Sequence, residues 1–151
     1  IDLVPKRCTL LVGSKYSLLR PEFSEWRSYS IERRSQANLK NLLITMGGVD
    51  LKNHTEEVLI KLDCCTLPVD LNITIVVGSH YPHLESLKMR AERSKYTVNI
   101  QVDVENMAKI MADSDIAIGA AGSTSWERCC LGLPTIQLVL AENQKFLAER
   151  L

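Results

Sequence analysis

DIAIGAAGSTSWERCCLGLPTI, Asp115 to Ile136, is the stretch whose reading decides the fold. It opens on a short apolar run, Asp115 to Gly119, that ends in glycine. A loop of small residues follows, Gly119-Ala120-Ala121-Gly122-Ser123-Thr124-Ser125. Ser123 to Leu131 then reads as a helix, and Thr135 to Leu140 as the next strand. Strands that alternate with helices pair in parallel, with each helix crossing over the sheet. The right-handed crossover rule fixes the hand.

The same grammar extends in both directions. Towards the amino terminus, Asn41 to Met46 is an apolar run ending at Gly47-Gly48. A helix over Asn53 to Cys65 follows, with Val58, Leu59 and Leu62 at helical spacing. Asn72 to Gly78 and Tyr96 to Val102 read as strands. His83 to Arg93 and Glu105 to Ala112 read as helices, the second with Met107, Ala108 and Met111 on one face. Asn143 to Leu151 begins a last helix. The strands are apolar almost throughout, as a sheet covered on both faces requires. The prediction is an α/β fold: a Rossmann-like parallel sheet with helices on both faces, over residues 41–151. Residues 1–40 read as a leading strand, Cys8 to Gly13, a helix over Pro21 to Arg34, and a polar joint from Ser35 to Lys40. Proline is tolerated in a first helical turn, which suits Pro21 there. In open parallel sheets ligands bind outside the carboxyl ends of the strands, so the strand-to-helix loops are where chemistry is expected.

Composition narrows the partners. The chain has 151 residues, enough to bury one core without staples. Eighteen basic residues balance eighteen acidic ones, so no long-range field attracts a nucleic acid. A local anion site built from backbone amides remains open. No apolar run reaches the roughly 20 residues that cross a bilayer, so no membrane span is expected. The start, IDLVPKRCTLLVG, lacks the ordered regions of a signal peptide and an initiator Met, and suggests a piece with more chain upstream. Of five cysteines, Cys64-Cys65 and Cys129-Cys130 are adjacent in sequence, and no C-x-x-C spacing occurs. That argues against a zinc site and against a disulfide framework, and for reduced thiols in a cytoplasmic protein. Cysteine catalysis lacks a His placed nearby in sequence.

Two loops carry the candidate chemistry, Thr45 to Asp50 and Gly119 to Ser125. Glycines there make tight turns whatever else they do. They also let a ligand approach the backbone, and the free N–H groups of a helix's first turn attract phosphate. Two such loops on one sheet, the second with three hydroxyls, point to a diphosphate. Neither is G-x-x-x-x-G-K-[ST] nor G-x-G-x-x-G, which argues against a P-loop and a dinucleotide cofactor. Glu127, three residues after Thr124, has two readings. One is a capping box with Thr124 as the cap. The other is a carboxylate that accepts both hydroxyls of a ribose diol. Trp126 reads as packing, Asn53 as a helix cap, His54 as solvated, and Asp50 as orienting the first loop or starting its turn. His80 and His83 have metal-like spacing but no third ligand nearby, so no metal is expected.

ITMGGVD (Ile44 to Asp50) and IGAAGSTSWERCCLGLPTI (Ile118 to Ile136) resemble the C-terminal domain of the UDP-sugar hydrolases of pseudaminic acid biosynthesis, which act on a UDP-linked diacetamido-trideoxy-altropyranose. Spore-coat polysaccharide proteins are similar. More distantly the pattern resembles the two-domain GT-B transferase that adds N-acetylglucosamine to lipid-linked muramyl-pentapeptide. The resemblance runs from LLVGSKYSLLRPEF (Leu10 to Phe23) to AENQ (Ala141 to Gln144). It implies that Gly47, Gly48, Gly122, Ser123 and Thr124 face the phosphates of UDP, that Glu127 takes the ribose hydroxyls, that Val104 meets uracil through its backbone, and that Arg20 lies near the nucleotide. Asn143 would face the sugar and help position the reacting centre, with Gln144 beside it. No metal or other cofactor is implied. Two departures stand out. Val49 replaces a frequent Ser, and the family's catalytic histidine belongs to an N-terminal domain that none of the three histidines here matches. The implied protein is the UDP-binding half of a UDP-sugar hydrolase, completed by an N-terminal domain in cis. A glycosyltransferase half and a non-catalytic nucleotide-sugar-binding subunit are the alternatives.

Overall fold

The computed structural model describes residues 4, 5, 7–11, 13–36 and 38–149. Five strands form one parallel sheet: β1 (Asn41–Thr45), β2 (Asn72–Val77), β3 (Thr97–Val102), β4 (Ile116–Ala120) and β5 (Thr135–Leu138). Their order is β3-β2-β1-β4-β5, and every pairing is parallel. The helices are α1 (Pro21–Arg33), α2 (His54–Asp63), α3 (Leu84–Glu92), α4 (Met107–Ala112), α5 (Thr124–Cys130) and α6 (Glu142–Ala148). This is the expected doubly covered Rossmann-like α/β fold. The sequence places the last helix up to Leu151, whose final two residues lie outside the described residues.

Strand residues alternate between two cores because successive side chains leave opposite faces of a sheet. Leu42 and Ile44 join Ile73, Ile75 and Leu59 on one side, under α2 and α3. Leu43 points the other way, to Phe23, Val76, Met111, Ala117 and Leu131, under α1, α4 and α5. Two-sided burial therefore makes the central strands β1, β2 and β4 largely apolar, while β3 at the edge alternates, with Thr97 and Asn99 exposed.

Helix α1 carries proline in its first turn, as expected. Its Phe23 is fully buried. At its far end Ser30 Oγ donates to Leu131 O at 2.8 Å, and Arg33 pairs with Asp115 Oδ1 at 2.7 Å. The other Asp115 oxygen accepts the amides of Lys40 and Asn41, so one carboxylate joins α1 to the starts of β1 and β4.

Two local expectations are corrected. Cys8 to Gly13 is not a strand among its described residues, and Leu10 and Leu11 are exposed. With no neighbouring strand to pair with, an apolar run has no ladder to join. Asn53 does occupy the cap position of α2, but its side chain makes no cap bond and its backbone is left-handed, with φ of 59°. Asp50 caps that helix instead. Its carboxylate accepts from His54 N at 3.0 Å and from Thr55 N and Oγ1 at 2.8 and 2.7 Å.

Candidate functional site

The chain runs outward from β1 through β2 to β3 and returns to lay β4 on the other side of β1. The loops leaving β1 and β4 therefore diverge, and the order of strands reverses between them. This is where open α/β sheets form a ligand crevice. A cleft of 240 Å³ opens there, lined by Gly47 and Gly48 after β1, Gly78 after β2, Val104 after β3, Thr124 at the start of α5, and Arg20 just before α1. Hollows of 340 and 420 Å³ elsewhere do not gather these loops; one lies against α5 and β5, the other at the amino ends of β1 and β4.

The floor of the cleft depends on two absent side chains. A Cβ on Gly78 would stand 2.4 Å from Gly48 O. A Cβ on Gly119 would stand 2.9 Å from Thr45 O and 2.6 Å from Arg128 Nη1. Strand ends thus pack backbone against backbone, and the first glycine loop lies directly on the end of β2. Gly47 holds a φ of 97°, which turns the loop out of β1 and suits glycine.

Arg20 reaches across the rim. It pairs with Glu22 at 3.0 Å, lies over the Phe23 ring at 5.4 Å, and points Nη1 at Glu105 O, 3.4 Å away. Gly122 is half-buried and Ser123 exposed, next to Thr124 on the approach to α5. Glu127 is half-buried one turn further on. Burial pushes its carboxyl up, opposed by the positive charges of Arg20 and Arg128. The capping-box reading does not hold. Ser123 is the cap residue and makes no side-chain cap bond, so Glu127 is the fourth helical residue and not the third. On α6, Asn143 is exposed, while Gln144 accepts a hydrogen bond from Leu140 N at 2.9 Å. Gln144 lines a neighbouring hollow with Val49 and Asp50. His83 Nε2 contacts Leu51 O at 3.0 Å, and His80 Nδ1 contacts Ser79 Oγ at 3.3 Å.

Residues 41–149 match the model of the glycosyltransferase family 28 C-terminal domain. The chain belongs to this family. Among similar curated proteins are the spore coat polysaccharide biosynthesis protein SpsG of Bacillus subtilis, 31% identical over 91% of this chain and 39% of that protein, and the UDP-2,4-diacetamido-2,4,6-trideoxy-beta-L-altropyranose hydrolase of Campylobacter jejuni, 29% identical over 95% of this chain and 48% of that protein. An uncharacterized protein of Methanocaldococcus jannaschii is 33% identical over 88% of this chain and 28% of its own length. The chain thus spans less than half the length of these relatives. The crystal structure of Acinetobacter baumannii MurG superposes with a TM-score of 0.66 at 20% identity, over 99% of this chain and 41% of MurG.

In this family 28 domain the structure gathers Arg20, Gly47, Gly48, Val104 and Thr124 in one cleft, and leaves Gly122, Ser123 and Glu127, as well as Asn143 and Gln144, outside its lining. Sequence reasoning missed Gly78 and Arg128. The signal for Gly78 was its place at the end of a strand, beside the other strand-ending glycines. Nothing in the sequence marks Arg128 as buried. No helix among the described residues is long and apolar enough to cross a membrane.

Proposed function

We propose that this domain binds the UDP moiety of a UDP-sugar in the cleft at the carboxyl ends of β1 to β4, as half of a cytoplasmic hydrolase. The observation that carries the reading is the meeting of the first glycine loop, Thr124 at the end of the second, Arg20 and Val104 at the reversal of strand order. The amides of Gly47, Gly48, Gly122 and Ser123 would take the diphosphate, with the Thr124 hydroxyl. Val104 would meet uracil through its backbone, and Glu127 would accept the ribose hydroxyls. The cleft's 240 Å³ is less than the roughly 300–1,000 Å³ of complete small-molecule sites. That is the size expected of one wall of a site closed by a second domain. Asn143 and Gln144 on α6 would face the sugar in the space between the two.

Hydrolysis of a UDP-linked diacetamido-trideoxy-hexose is favoured by the similarity to the Campylobacter jejuni hydrolase over nearly the whole chain. Water would attack the anomeric carbon, its proton would pass to a histidine of the N-terminal domain, and the anomeric C–O bond would break with its electron pair leaving on UDP. The cleft's amides would stabilise that charge. Transfer to a sugar acceptor is the second reading, favoured by the match to the glycosyltransferase family 28 domain.

An NMR titration tests the site. UDP should shift the amides of Gly47, Gly48, Gly122 and Ser123 at lower concentration than ADP, GDP or CMP; equal shifts with all four would remove the uracil contact. Turnover in H₂¹⁸O tests the reaction: label in the released sugar supports attack at carbon, label in UDP attack at phosphorus, and turnover only with a sugar acceptor makes the protein a transferase. This chain by itself should hydrolyse no UDP-sugar above a buffer blank.

A further inference from the structure

Arg128 is 1% exposed, and it forms no ion pair with a carboxylate among the described residues. Burying a guanidinium without a counter-charge is costly, and such groups persist where their charge or geometry is needed. Its acceptors are all neutral and all in one place. Nη2 donates to Ala120 O at 2.8 Å and to Ser125 Oγ at 3.0 Å, and Nη1 donates to Thr124 Oγ1 at 3.2 Å. Those residues span the second glycine loop from the end of β4 to the first turn of α5. The guanidinium lies against Gly119, where a Cβ would stand 2.6 Å from Nη1. Gly119 thus makes room for a cation beneath the loop.

Thr124 links this cation to the cleft, because it lines the cleft and accepts from Arg128. A hydroxyl that accepts through its oxygen keeps its own hydrogen to donate. The acceptor bond to a cation polarises that hydrogen, and the low dielectric around Arg128 strengthens the effect.

We propose that Arg128 is the positioning residue of the diphosphate site, holding the Ala120–Ser125 loop and aiming a polarised Thr124 hydroxyl, backed by a buried positive charge, at the phosphates. This rests on the reading of the cleft as the UDP site. The phosphates would then supply the negative charge that the protein itself does not pair with Arg128.

Affinities of the intact protein for UDP, UMP and uridine separate charge from scaffolding. Arg128→Met should lose about tenfold or more for UDP and change uridine affinity less than about twofold. Arg128→Lys should restore most of the UDP-to-uridine ratio. Thr124→Val, which retains Arg128 and the shape of the side chain, should lower the same ratio and serves if Arg128→Met does not fold. Equal weakening of all three ligands in the Met variant would make Arg128 a scaffold only and overturn the proposal. So would an unchanged ratio in Thr124→Val. If the unsubstituted protein binds UDP no better than uridine, the diphosphate reading falls with it; if it prefers UDP and every variant keeps that preference, only the role of Arg128 falls.

Discussion

Gly78→Ala tests whether the first glycine loop is held in place by the end of β2. An alanine Cβ at Gly78 meets Gly48 O at 2.4 Å, Gly48 Cα at 2.9 Å and Gly48 C at 3.0 Å. Real Cβ atoms essentially never approach closer than 3.0 Å, so Gly48 O must retreat by at least 3.0 − 2.4 = 0.6 Å. The neighbour is backbone and has no rotamer to change. Overpacking of this kind costs roughly 1–3 kcal/mol. At about 2–4 °C per kcal/mol for a chain of this size, the melting temperature should fall by several degrees. Displacing Gly48 also moves an amide that the proposed function aims at a phosphate. A hydrogen bond to a charged group contributes roughly 1.5–3 kcal/mol, so UDP affinity should fall about tenfold or more. Gly48→Ala is the matched control. A Cβ there meets nothing within 4 Å, and its φ lies outside the left-handed region. Stability should change by less than about 0.5 kcal/mol while the methyl still obstructs the ligand's approach to the loop. Differential scanning fluorimetry and isothermal titration calorimetry on both variants decide the matter. A Gly78→Ala protein that melts early yet binds UDP normally would refute the coupling between strand end and site.

Asp50→Ala should destabilise the protein by about 2 kcal/mol or more in urea unfolding, since it removes the cap of α2 and strands the fully buried Thr55 hydroxyl. Glu127→Gln should weaken UDP binding about tenfold while leaving 2′,3′-dideoxy-UDP nearly unaffected, by the loss of a charged acceptor for two hydroxyls. The raised pKa of Glu127 sets a pH dependence of the same binding. Protonation removes the charge and turns one of the two acceptor oxygens into a donor, so UDP affinity should fall as pH drops through that raised range, and titrations of Glu127→Gln should lack this component. For folding the sign is opposite: the folded state holds this proton more tightly than the unfolded chain, so the contribution to stability is full at low pH and is lost as pH rises through the raised folded value. Glu127→Gln should therefore be no less stable than the parent at neutral pH in thermal melts.

The strands and their ends were legible in the sequence because two-sided burial forces unbroken apolar runs, and runs such as Asn72 to Gly78 stop where glycine turns the chain. The leading run from Cys8 failed by the same logic. Strand propensity expresses fit to a pleated, half-buried surface, and Leu10 and Leu11 have no such surface beside them. Cap chemistry was legible only by residue type. Asn53 stands at the right position, but its amide donates to Glu56 at 2.6 Å and its oxygen accepts from Tyr81, which leaves the helix to Asp50. The site was legible as two glycine loops and an arginine before a proline. What joins them was not. The contact of Gly78 with Gly48 joins two different strand ends, and the turn of Arg128 inward under Gly119 depends on how α5 packs back on β4, so no pattern of residue types records either.

Glu127 shows how a local explanation, once removed, changes what a residue is for. In sequence a carboxylate three residues after a threonine at a helix start is satisfied by a capping box. In the structure the helix begins one residue earlier than that box requires, Ser123 stands at the cap, and no side-chain cap bond forms. Glu127 is left half-buried, its charge disfavoured by burial and by Glu22, and supported only at a distance by Arg20 and Arg128. With Arg20 on the cleft wall and Thr124 one helical turn before it, such a group would, on the proposed reading, take its donors from the ligand. A vicinal diol supplies two O–H donors to one carboxylate, and Arg20 keeps the charge available to them. The two arginines then divide the work. On the proposed reading, the positive charges of Arg20 and Arg128 would keep the Glu127 carboxylate available to the ribose hydroxyls while the phosphates lie on the loop amides.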